Sequence, residues 1–101
     1  MTYRMLAEAR DELRATAEYY DDQRSGLGSE FLDAFELRMI DVVHSPERFA
    51  RVSVRGLRIE LRRAILRRFP YSVIFYANAD GISVVAVAHH ERRPNYWRRR
   101  L

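Results

Sequence analysis

The chain has 101 residues, 48% of them apolar, with 14 acidic side chains, 18 basic ones and no cysteine. Such a length and balance fit one folded domain, residues 1–101, and exclude wholesale disorder, disulfides and thiolate metal sites. Every basic residue is an arginine, and the charge is segregated: residues 1–50 hold 6 arginines against 11 acids, residues 51–101 hold 12 against 3, which suits an anionic partner for the second half.

Met1–Arg10 alternates apolar and charged residues and contains no secretory apolar core. Tyr3–Leu6 is a candidate short strand. From Leu6 the apolar positions run Leu6, Ala9, Leu13, Ala17, Tyr20, steps of three and four that mark one face of a helix. Glu8, Asp11, Glu12 and Glu18 fall mainly off that stripe. Ser25-Gly26-Leu27-Gly28 ends this helix near Arg24, and Gly28 or Ser29 caps a second one, with Glu30 in its first turn. Its expected stripe is Leu32, Phe35, Met39, Val42, widened by Phe31 and Val43, and Ser45-Pro46 stops it. The two helices form a hairpin over about residues 8–45.

The sheet is expected over about residues 57–90. Leu57, Ile59 and Leu61 alternate with Arg58, Glu60 and Arg62, the period of a half-buried strand, and the slip at Arg63-Ala64-Ile65-Leu66 suggests a bulge. Tyr71–Ala77 and Ile82–Ala88 are strands joined by the turn residues Asn78-Ala79-Asp80-Gly81. The second is apolar on both faces, so both need cover. The helical hairpin covers one. Only the basic tail, residues 91–101, is on hand for the other, so some apolar sheet surface is expected to be left for another molecule. Ile82–Ala88 is also the longest uncharged apolar run, far short of the roughly 20 residues of a membrane helix, so a soluble cytoplasmic protein with no membrane contact is expected.

Pairing across that turn sets residue 71 opposite about residue 88. Arg67, Arg68, His89, His90, Arg92 and Arg93 then gather at one end of the sheet, with Tyr96 and Trp97 close behind. Arginines beside an imidazole and a phenol can bind phosphate and move protons, as RNA cleavage by 2′-OH attack requires. A solvated basic rim over packed aromatics is the simpler reading of the same residues. Adjacent His89 and His90 point to opposite faces of a strand, and His44 stands alone at a helix end, so no metal site is expected. No phosphate-binding glycine loop, dinucleotide fingerprint or hydrolase elbow occurs, and no cofactor is expected.

The ordered pieces Ala9-x-x-Glu12-Leu13, Ala17-Glu18-Tyr19-Tyr20, Gly26-Leu27-Gly28-x-x-Phe31-Leu32, Ser45-Pro46, Arg67-Arg68-Phe69-Pro70-Tyr71-x-x-x-Phe75-Tyr76, Ala86-Val87-x-His89 and Arg93-Pro94-x-Tyr96-Trp97 span nearly the whole chain. In that series the chain resembles the RelE/ParE superfamily, the toxins of type II toxin–antitoxin modules. The resemblance implies an α+β fold, a helical hairpin on a small twisted, mostly antiparallel sheet. It implies growth inhibition neutralised by a cognate antitoxin with a flexible, acidic segment, and operator DNA contacted only through that antitoxin. RelE-like members are ribosome-dependent mRNA endonucleases; on that branch Arg67, His90, Arg92 and Tyr96 would be catalytic. ParE-like members inhibit DNA gyrase without nuclease chemistry. On either branch Arg62, Arg68, His89, Arg93, Trp97 and Arg98 would bind target or antitoxin. The long hairpin and the Tyr-Tyr, Gly-Leu-Gly and Phe-Pro-Tyr elements favour the ParE-like branch. An inactive antitoxin-binding module is the remaining alternative.

Overall fold

The computed structural model describes residues 2–101. They form an α+β fold of β1 (Tyr3–Met5), α1 (Ala7–Gln23), α2 (Leu27–His44), β2 (Ala50–Val52), β3 (Leu61–Ile65), β4 (Tyr71–Asn78) and β5 (Gly81–His89). Short 3₁₀ turns occupy Pro46–Arg48 and Tyr96–Arg100. The sheet order is β1-β5-β4-β3-β2, with β1 parallel to β5 and the other pairs antiparallel. No helix among the described residues is long and apolar enough to cross a membrane.

The helical hairpin is closed by Asp21, not by Gly28 or Ser29. Asp21 Oδ1 accepts from the N–H groups of Gly26 at 3.0 Å and Gly28 at 3.2 Å, so the end of α1 caps the start of α2. Gly26 makes the turn in the left-handed region, at φ 90°. Gly28 is where the helices touch: a Cβ there would lie 2.4 Å from the carbonyl oxygen of Ala17. One turn on from Gly28, Phe31 begins the buried stripe Phe31, Phe35, Met39, Val42, each at most 1% exposed. Leu32, expected in that stripe, is 37% exposed, because the Gly28 contact turns α2 so that Phe31 faces inward. Those side chains meet Ala64, Val73, Phe75 and Val84 on the sheet. Burying a phenylalanine this fully stabilises by about 1.5–3 kcal/mol.

The sheet departs from expectation in three places. Its outermost strand, β2, lies before residue 57 and is only three residues long. Leu57–Glu60 is not strand: Gly56 turns the chain at φ 82°, and Ile59 is exposed. β3 pairs with β4 in continuous register from Arg62↔Phe75 to Ile65↔Ser72, so no bulge occurs at Arg63–Leu66. The bulge sits between β4 and β5, where Ile74↔Ala86 is followed by Phe75↔Val84 and Val85 is the extra residue. That single insertion moves the partner of Tyr71 from residue 88 to His89.

Candidate functional site

The second face of the sheet is only half covered. The tail lays Trp97, 3% exposed, against Leu61, Ile74, Val85 and Ala86. Asn95 turns the tail in the left-handed region at φ 60°, a conformation its short side chain tolerates.

Glu12, which the helical pattern places off the apolar stripe, is what secures the tail. Beyond Met5 no strand among the described residues covers the outer edge of β5, and side chains take its place. Glu12 Oε1 accepts from the Val87 N–H at 3.0 Å, and Arg100 Nη1 donates to the Val85 carbonyl at 3.0 Å. Arg100 and Glu12 also pair through both arms, and the Tyr96 hydroxyl donates to Glu12 Oε2 at 2.5 Å. Burial works against ionisation of Glu12, but the bonds from Arg100, Tyr96 and Val87 outweigh it and hold the carboxyl below its usual range. The same burial, with the Glu12 bond next, pushes the Tyr96 phenol well above its usual range.

Beside this clamp lies an open groove of about 300 Å³. It crosses four strands, from Val52 on β2 past Arg63 and Ile65 on β3, Ser72 and Ile74 on β4, to Ala88 and the histidines after it; Arg92–Trp97 form the far wall. His90 Nε2 is 2.9 Å from Ser72 Oγ, and the Arg92 guanidinium lies 3.7 Å above the Tyr96 ring. Among the described residues, no acidic one lines the groove.

The structure brings together His89, His90, Arg92, Arg93, Tyr96 and Trp97 around this groove. His89 and His90 diverge as adjacent strand residues do: His89 packs its edge on Tyr71 at 4.9 Å, while His90 meets Ser72. Arg67 and Arg68 are not among its lining residues. They border a separate hollow beside α2, where Arg68, at φ 77°, pairs with Glu30 at 2.5 Å. Arg62 donates to the carbonyls of Glu47 and Phe49, tying the first 3₁₀ turn to the sheet, and Arg98 lies over Gly56. Sequence reasoning passed over Glu12, Arg63 and Ile65; Arg100, which the Arg98-Arg99-Arg100 run offers as a phosphate contact or a solvated terminus, is instead taken up by Glu12 and the Val85 carbonyl. The available signal for Glu12 was its position three residues after the buried Ala9, on the flank of the stripe rather than opposite it.

No protein-family model matches this chain, and no curated protein matches it. Among solved structures, the chain is similar to one from the "Chromosomal ParDE TA system from P. aeruginosa". The TM-score is 0.62 at 20% identity, covering 90% of this chain and 97% of that one. The two share a fold.

Proposed function

We propose that this chain is the toxin of a type II toxin–antitoxin pair, that a cognate antitoxin neutralises it, and that its target is DNA gyrase. The observation that carries the toxin reading is the fold shared with a chain of a ParDE toxin–antitoxin system along nearly the full length of both. The resemblance of the ordered sequence pieces to the RelE/ParE superfamily supports it.

The gyrase branch draws support from the state of Tyr96. Its hydroxyl donates to Glu12 and its phenol is pushed upward, so it stays protonated and serves poorly as the base of an RNA-cleaving site. The nuclease reading keeps one favourable observation: exposed His90 stands in a groove with Arg63, Arg92 and Arg93.

The toxin reading is tested by inducing the chain alone in a bacterium and then together with the product of the adjoining reading frame. Growth arrest on solo induction, relieved by co-induction, is the expected result. Normal growth with folded protein present overturns it.

A further inference from the structure

We infer that the outward face of α2 pairs antiparallel with the same face of a second copy of this chain. The inference stands apart from the toxin reading and uses a different side of the molecule from the groove.

Asp33, Leu37, Ile40 and His44 follow one another along α2 at spacings of four, three and four, so they form a single stripe. It lies opposite the buried stripe of Phe31, Phe35, Met39 and Val42. Leu37 is 65% exposed and Ile40 64%, more than any other large apolar side chain among the described residues. Neighbours on one helix face, they make a continuous apolar ridge instead of two scattered residues. The surface falls away on both sides of it. One hollow is lined by residues including Ala34, Arg67 and Arg68, the other by residues including Tyr3, Met39 and Val43. The ridge therefore stands free for a facing helix.

The stripe complements itself only when reversed. In a two-fold antiparallel pair Leu37 meets Ile40 of the second copy, and Ile40 meets its Leu37. The same register sets Asp33 against His44 of the second copy, an acid–imidazole pair made at both ends. The flanking acids Glu36 and Asp41 come beside Val43 and Ala34 of that copy, so no acid opposes an acid. Parallel pairing would set Asp33 on Asp33. An anionic membrane surface is disfavoured by the same residues: Glu30, Asp33, Glu36 and Asp41 surround the ridge, and the one arginine of α2, Arg38, is paired with Asp41.

The contact runs along about 16 Å of helix, at the low end of specific interfaces, which sets the pairing in the micromolar range. It leaves the groove beside the tail open in both copies, because α2 packs on the other face of the sheet.

The test exploits the absence of cysteine. Asp33→Cys and His44→Cys replace exposed side chains, and the two full-length chains are oxidised separately and as an equimolar mixture at about 100 μM. The register sets residue 33 beside residue 44 of the second copy but about 16 Å from its residue 33, far beyond the roughly 7 Å between Cα atoms that a disulfide spans. The expected result is a cross-linked dimer of one chain of each kind in the mixture, and at least about fivefold less dimer from either chain alone. Equal cross-linking of Asp33→Cys by itself overturns the antiparallel pairing. Sedimentation velocity of the parent over about 5–500 μM should show a monomer–dimer equilibrium, with a dissociation constant that Leu37→Glu raises at least about tenfold. Circular dichroism checks that the Leu37→Glu chain folds, and the cysteine pair decides the question without it. A parent that stays monomeric throughout, or association that a folded Leu37→Glu chain retains unchanged, overturns the proposal.

Discussion

Glu12 and Arg100, 88 residues apart in the chain, pair through both arms at 2.8 Å, and together they finish the edge of β5 that β1 leaves open. A helix and a terminal turn thus replace a missing strand. Neither side chain is more than 16% exposed, so the pair is screened far less than a surface salt bridge.

Arg100→Ala should therefore do more than trim a terminus. It leaves the Glu12 carboxylate half-buried without its cation and frees the Val85 carbonyl, a loss of about 2–4 kcal/mol. Urea denaturation monitored by tryptophan fluorescence checks this, since Trp97 lies within the same tail. An Arg99→Ala control should fall within about 0.5 kcal/mol of the parent, as surface substitutions do.

Acid should release the same clamp. The folded-state pKa of Glu12 lies below its ordinary 4.5, so its contribution to stability is present above that value and lost as pH falls through the lowered one. Comparing melting temperatures of the parent and Glu12→Gln isolates this carboxyl from the other titrating acids. The gap between the two should be constant from neutral pH down to about 4.5 and shrink at lower pH. A gap that widens on acidification would contradict the assignment.

Gly28→Ala tests the helix contact. The added methyl carbon would meet the Ala17 carbonyl at 2.4 Å, so the helices must separate or α2 must rotate. Overpacking of this kind costs about 1–3 kcal/mol, in spite of alanine's better helix propensity. Thermal unfolding measures it.

Tyr96→Phe and His90→Ala separate the two targets. On the gyrase reading neither side chain transfers a proton, so both variants keep their toxicity. Tyr96→Phe should lose about 1–2 kcal/mol of stability with the Glu12 bond. Induced growth curves at matched protein levels report this. Loss of toxicity in a folded His90→Ala chain would point to RNA cleavage.

Much of the fold was legible because its signals are local. The step pattern from Leu6 to Tyr20, the glycines at 26 and 28 and the turn at Asn78–Gly81 each specify structure within a few residues. Even the pairing of Tyr71 was readable to within the one residue that the Val85 bulge inserts. What escaped depends on contacts across the chain. β2 is three residues without alternation, set beside the Phe49 carbonyl that Arg62 grips. The role of Glu12 is made by Arg100, Tyr96 and Val87, all from the other end of the sequence. Arg63 and Ile65 face the groove only because β3 starts at Leu61 and runs in unbroken register, which the alternation from Leu57 obscured.

The most direct measurement combines the purified chain with DNA gyrase, ATP and relaxed plasmid, alongside ribosomes translating a defined transcript. The gyrase reading leads to lost supercoiling and accumulated cleaved plasmid, with the transcript intact. Unimpaired supercoiling together with cuts in the ribosome-bound transcript would contradict it.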